Sequence, residues 1–224
     1  MKLVVVSAGL SVPSSTRLLA DRLTEAVRTE LPDVSVRFVE LRELATAIAN
    51  NLVTGFPNAA LHEAIESVAG ADALIAVTPV FSASYSGLFK SFFDLLDPDA
   101  LTGTPVLIAA TGGTPRHSLA LDHAVRPLFA YLRALVVPTA VFAASEDWGG
   151  EGDAFTAHLP GRIARAAGEL TTLLRARGGA AVPAAAPPTE AATEEAVVSE
   201  AEPAASGAET VVPFARQLAE LRIG

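Results

Sequence analysis

Two hydrophobic rhythms alternate along the chain. Lys2 to Val6 is a continuous β-branched run, the pattern of a strand buried on both faces. Ser14 to Glu30 follows with Leu19, Leu23, Ala26 and Val27 on one helical side, and Pro32-Asp33 ends it. Val34 to Val39 alternates apolar and polar as a second strand, and a mixed segment comes next. Pro57 to Val68 predicts a helix facing inward through Leu61, Ile65 and Val68, and Ala73 to Val77 a third strand. Ser84 to Leu96 predicts a helix stopped by Asp97-Pro98-Asp99, and Pro105 to Ala110 a fourth strand. His117 to Ala134 reads as a helix on Leu121, Val125, Leu128, Phe129 and Leu132. Leu135 to Ala143 reads as a fifth strand, and Pro160 to Arg177 as a helix through Ile163, Ala167, Leu170 and Leu174.

Strict β-α alternation with apolar strands implies a parallel sheet covered on both faces. Five units are too few for an eight-fold barrel. The expected fold is α/β, a flavodoxin-like doubly wound five-stranded parallel sheet in the order 2-1-3-4-5. Ligands in such sheets bind beyond the carboxyl ends of the strands, near the switch point between strands 1 and 3. Attention therefore falls on the loops after strands 1, 3 and 4.

Composition sets the boundaries of this domain. Half of the 224 residues are hydrophobic, enough for a sizeable core. The net charge of −9 is uneven: Glu190, Glu194, Glu195, Glu200, Glu202 and Glu209 lie between Gly178 and Pro213 with no Lys or Arg beside them. That Ala/Pro/Glu-rich stretch cannot bury enough apolar surface to offset its chain entropy. The expected organisation is a domain over 1–177, a flexible acidic linker over 178–213 and a short amphipathic helix over 214–224, with Phe214, Leu218 and Leu221 on one face. The acidic balance argues against sequence-independent nucleic-acid binding. There is no cysteine, hence no thiol nucleophile, disulfide or thiolate metal site. The apolar start is too short for a signal peptide, and no apolar stretch is long enough to span a membrane, so a cytoplasmic protein is expected.

The three loops carry the candidate chemistry. The first, Ser7 to Arg17, offers Ser7, Ser11, Ser14, Ser15 and Thr16 where a helix begins. Free N–H groups and the helix dipole attract phosphate there, and hydroxyls add donors without bulk. It is neither G-x-G-x-x-G nor G-x-x-x-x-G-K-[ST]. Arg17 either assists or is a surface charge. The second loop, Thr78 to Lys90, has Pro79 to stiffen it and Phe81 as a surface for a flat ring. The third, Ala110 to His117, has adjacent Gly112 and Gly113, which allow backbone N–H groups to approach a ligand. His62, His117, His123 and His158 show no metal-ligand spacing, and Trp148 is a packing residue or a lid. Leu88, Phe89, Phe92, Phe93, Leu95 and Leu96 make an apolar face wider than one sheet contact needs, which suggests a homodimer. Lys90 and Asp94 are placed for an i,i+4 pair.

Together, the Ser7–Arg17 loop, Thr78-Pro-Val-Phe-Ser with Gly-Leu-Phe-Lys-Ser-Phe-Phe-Asp94, and Thr111-Gly-Gly-Thr resemble the NAD(P)H-dependent FMN reductase family. More narrowly, they resemble actinobacterial members partnered with luciferase-like monooxygenases. The resemblance covers roughly residues 1 to 175. It implies that the FMN phosphate lies at Ser11, Ser14, Ser15 and Thr16, with Ser7 and Leu10 nearby. Pro79, Val80, Phe81 and Ser82 would lie along the isoalloxazine, and Thr111, Gly112 and Gly113 at its edge. It further implies FMN and NAD(P)H as the redox pair, a homodimer or tetramer, and a flavin-dependent monooxygenase as partner. Two positions depart from the common pattern: Ser11 stands where many members have Arg, and Phe81 where Tyr is common. A quinone or azo-compound reductase, and a flavodoxin-like FMN electron carrier that does not react with NAD(P)H, remain alternatives.

Overall fold

The computed structural model describes residues 1–148 and 158–179, with side chains to 177 in the last helix. All but the first two residues of the expected linker, and the whole of the expected terminal helix, lie outside the described residues.

The strands are β1 (Lys2–Ser7), β2 (Ser35–Glu40), β3 (Ala73–Phe81), β4 (Ser84–Tyr85), β5 (Pro105–Gly112), β6 (Leu135–Val136) and β7 (Val141–Ala144). The helices are α1 (Ser15–Glu30), α2 (Leu41–Thr54), α3 (Ala59–Ala69), α4 (Gly87–Phe93), α5 (Arg126–Tyr131) and α6 (His158–Gly179). The main sheet runs β2-β1-β3-β5-β6, with β7 also parallel to β5 and β4 antiparallel to β3. Taking β6 and β7 as two pieces of one strand, this is the flavodoxin-like order expected.

Side-chain alternation divides the core into two layers. Val4, Val6, Leu74, Ala76, Val106 and Ile108 face one way, onto Leu61, Phe89, Phe93 and Phe129 of α3, α4 and α5. Leu3, Val5, Ile75, Val77, Leu107 and Ala109 face the other way, onto Leu19 and Leu23 of α1 and Ile163, Leu170 and Leu174 of α6. Parallel pairing in register, Val5 beside Ile75 and Ile75 beside Leu107, brings like faces together across the sheet. With both faces covered, the strand interiors must be apolar throughout.

The structure revises several elements. The mixed segment after the second strand is a helix, α2, anchored by buried Leu41 and Ile48 and closed by left-handed Gly55. Helix α4 begins three residues later than expected. Ser84–Tyr85 folds back on Val80–Phe81, and Ser86 then caps the helix by accepting from the Phe89 amide at 3.2 Å. The turn uses Ser82 at φ 47° and Ala83 at φ 66°, both in the left-handed region required by a two-residue type I′ hairpin.

The helix expected over His117 to Ala134 is instead a 3₁₀ turn (Pro115–His117), a π turn (Leu121–Val125) and α5. Pro127 has no N–H for the His123 carbonyl and crowds it. The Arg126 amide instead reaches five residues back to Leu121. The fifth strand divides at Pro138, which supplies no ladder donor. The freed backbone is held by side chains. The Arg126 guanidinium donates to the carbonyls of Val137 and Pro138 at 3.0 and 3.1 Å, and Glu169 accepts from the Thr139 amide at 2.7 Å.

The wide apolar face of α4 is consumed within the chain. Phe89, Phe92 and Phe93 are buried, and the Phe93 ring lies 4.7 Å from Phe89 and 4.9 Å from Phe129. Only Leu88 and Leu95 are left half-buried, so the breadth of this face no longer requires a second subunit. Lys90 and Asp94 form the expected pair. Among the described residues no helix is long and apolar enough to cross a membrane.

Candidate functional site

Loop 1 is shaped by a glycine. A Cβ on Gly9 would stand 2.1 Å from the Ser14 hydroxyl oxygen, so only glycine lets that side chain fold over the loop. Ser14 is the N-cap of α1, and its Oγ accepts from the Arg17 amide at 3.2 Å. The first amides of α1, at Ser15 and Thr16, have no intrahelical acceptor and are open to an anion. Thr16 is buried, with its hydroxyl oxygen 2.8 Å from that of Thr111 at the end of β5. That bond ties the first loop to the third.

Loop 2 is held by Thr78, whose hydroxyl donates to the Pro79 carbonyl and accepts from the Ser86 amide at 3.1 Å. The hairpin beyond it leaves Phe81 48% exposed at the rim. In loop 3, a Cβ on Gly112 would meet the Phe142 ring at 2.8 Å, whereas one on Gly113 would meet nothing within 4 Å. Gly112 thus allows close strand packing, and Gly113 leaves the cleft open beside it.

The three loops enclose one cleft of about 340 Å³, a size common for small-ligand sites. Leu10, Ser11, Ser15 and Thr16 line it from loop 1, Pro79, Val80 and Phe81 from loop 2, and Thr111, Gly112 and Gly113 from loop 3. Ser7, Ser14 and Ser82 do not line it. Ser7 is fully buried in the sheet, and its Oγ has no hydrogen-bond partner among the described residues. Ser14 faces a second groove on the other side of Ser11, and Ser82 sits on the exposed hairpin turn. His62, His117, His123 and His158 are exposed and away from the cleft. No group of acidic or histidine side chains among the described residues is placed to hold a metal.

Ser145 and Trp148 are lining residues that the strand-end rule did not select. They belong to a 3₁₀ turn after β7, and Trp148 also packs on the α1–α6 layer with the Arg22 guanidinium 4.8 Å from its ring. Arg162 and Asp147 clamp the turn. Asp147 accepts from the Ala144 amide at 2.7 Å and from Arg162 Nη2 at 3.0 Å, while Arg162 Nη1 donates to the Phe142 carbonyl at 2.8 Å. The glycine-rich sequence around Trp148 marks a loop; its contact with the site arises only through the sheet.

Among the described residues, none lining the cleft is an Asp, Glu, His, Lys or Arg. Nearby Arg17 is engaged elsewhere: it bonds Asp21 at 2.8 Å and Glu40 at 2.7 Å, and lies 4.1 Å from the Phe38 ring centre. Partial burial lowers its pKa, but the hydrogen bonds and charges of Asp21 and Glu40 outweigh that and raise it above the ordinary arginine value. It is a fixed, compensated cation. The cleft therefore offers a flat apolar wall, hydroxyls, backbone amides and a helix N-terminus. The described lining includes no acid–base side chain.

An open, mainly parallel sheet with a cleft at its switch point defines a flavodoxin-like fold. The sequence narrows that class. Residues 1–149 match the NADPH-dependent FMN reductase family, and the chain belongs to it. It is 41% identical over 147 residues to an FMN reductase (NADPH) of Pseudomonas aeruginosa, covering 66% of this chain and 78% of that one. It is 40% identical over 146 residues to the NADH-dependent FMN reductase SfnF of Pseudomonas putida, covering 65% and 78%. Its fold is similar to that of an oxidoreductase from Corynebacterium diphtheriae, with a TM-score of 0.73 and 51% identity, covering 78% of this chain and 97% of that one. The chain is an oxidoreductase of the NAD(P)H-dependent FMN reductase type.

Proposed function

We propose that FMN binds in the cleft and leaves it reduced, as a diffusible product for a flavin-dependent monooxygenase. The carrying observation is the division of the lining: hydroxyls and open α1 amides at Ser11, Ser15 and Thr16, apolar surface at Pro79 to Phe81, and bare backbone at Gly112 and Gly113. These fit a phosphate, the side of a planar ring system, and the polar edge of that ring. Flavin held there would supply the redox chemistry, as the acceptor of hydride from NAD(P)H. The protein's residues do the placing. The Thr16–Thr111 bond fixes the distance between the phosphate end and the ring end. The strained hairpin holds Phe81 at the rim, and the Arg162–Asp147 clamp holds Trp148 on the opposite side.

Release is supported by the weak hold this lining offers. Among the described residues no charged side chain lines the cleft, and Phe81 is half exposed beside its opening. The actinobacterial reductase subgroup is supported by the 51% identity to the Corynebacterium protein. An anaerobic filtration assay tests the proposal. Protein, excess NADH or NADPH, and several equivalents of FMN are mixed and passed through a membrane that retains protein. Reduced flavin should appear in the filtrate beyond one equivalent per chain. Flavin reduced once and retained with the protein would instead indicate a bound-cofactor enzyme, such as a quinone or azo reductase.

A further inference from the structure

Beside the cleft lies a second groove of about 280 Å³, lined by Gly9, Val12, Pro13, Ser14, Arg17, Glu40, Arg42 and Glu43 and by Ser11, which it shares with the cleft. The two depressions meet at Ser11. Two cations border the second groove, and they are not equivalent. Arg17 is neutralised by Asp21 and Glu40. Arg42, the second residue of α2, has no carboxylate within salt-bridge distance among the described residues. Its only described hydrogen bond is a long one, 3.3 Å, from Nη1 to the Ser11 carbonyl. That contact places an uncommitted guanidinium directly behind the hydroxyl loop. A phosphomonoester at Ser11 and the α1 N-terminus carries close to two negative charges at neutral pH, and among the described residues no cleft-lining side chain offsets them.

Resting on the reading of the cleft as an FMN site, we propose that Arg42 is the phosphate-binding cation of this enzyme. It would swing from the Ser11 carbonyl onto the FMN phosphate and so distinguish FMN from riboflavin. Arginine suits this role because its planar fork pairs with two phosphate oxygens at once. Glu43, on the same groove, opposes the same anion.

Flavin titrations of the full chain, followed by fluorescence quenching, test the assignment with FMN and riboflavin as probes. Arg42 is exposed, so solvent screening reduces the effect below that of a buried pair. Arg42→Ala should weaken FMN binding by about tenfold and leave riboflavin binding unchanged. Arg42→Lys should recover part of the loss, because it restores charge but not the fork. Glu43→Gln should tighten FMN by roughly two- to threefold. The proposal is overturned if Arg42→Ala binds FMN as the wild type does. It is equally overturned if riboflavin and FMN binding fall together, which marks a structural role, or if only the KM for NADPH rises while that for NADH holds. Failure of the wild type to bind either flavin would refute the cleft assignment itself, a different result from a wild type that discriminates without Arg42.

Discussion

Gly9 and Ser14 should behave as one unit, and the size of their coupling follows from the structure. Ser14 Oγ caps α1 through the Arg17 amide, a contact whose loss on substitution by alanine costs about 1 kcal/mol. Gly9→Ala would place a methyl group 2.1 Å from that oxygen. No relaxation of a few tenths of an ångström resolves such an overlap, so the hydroxyl must leave and the cap is lost. The new methyl would also stand 3.1 Å from Thr16 Cβ and 3.2 Å from Ser14 Cβ, tight contacts that remain when the hydroxyl is gone. Ser14→Ala should therefore cost about 1 kcal/mol, and Gly9→Ala about 2, the second part being overpacking. The double variant should cost about 2 rather than 3, because the cap can be lost only once. In a domain of this size each kcal/mol moves the melting temperature by roughly 2 to 4 °C. Urea unfolding of the four proteins gives the cycle directly. Additive costs, with a coupling below about 0.3 kcal/mol, would refute the claim that Gly9 exists to admit Ser14.

Other substitutions probe other links. Ala83→Gly removes the left-handed strain of a non-glycine residue at φ 66° and should stabilise the protein by about 0.5 to 1 kcal/mol in urea unfolding. Phe93→Ala empties a site between Phe89 and Phe129 and should cost about 3 to 5 kcal/mol. Arg162→Ala frees the Ser145–Trp148 turn; tryptophan fluorescence should shift toward that of a more exposed indole, and FMN binding should weaken several-fold. The expected homodimer or tetramer is a separate matter, since the α4 face is buried inside the chain; light scattering at micromolar concentration decides it.

The sheet was legible because β1, β3 and β5 are continuous buried runs, a pattern that a parallel sheet demands. What escaped had local reasons. In α2, Leu41, Leu44 and Ile48 follow helical spacing, but Ala45, Thr46 and Ala47 among them and Asn50 and Asn51 beyond them dilute the pattern. The β3–β4 hairpin turns on Ser-Ala rather than the Asn-Gly that announces a type I′ turn. Pro127 and Pro138 each remove a backbone donor, and this interrupts a helix and a strand that the apolar pattern alone runs through. The topological rule placed ten of the expected residues on one cleft. It could not tell that Ser14 is spent on capping or that Ser7 points into the sheet layer rather than the cleft. Ser145 and Trp148 reach the cleft, and Arg42 the groove beside it, through space from segments outside the three loops, so no local motif marks them.

The central claim is that hydride passes from a nicotinamide nucleotide to flavin held in this cleft. Anaerobic mixing of the protein with FMN and either NADH or NADPH tests it most directly. The flavin's visible absorbance should bleach at a rate that rises with protein concentration and falls when bulk is introduced at Gly113, a lining residue whose added Cβ would meet open space. Bleaching with neither donor, or a rate indifferent to a large residue at Gly113, would contradict it.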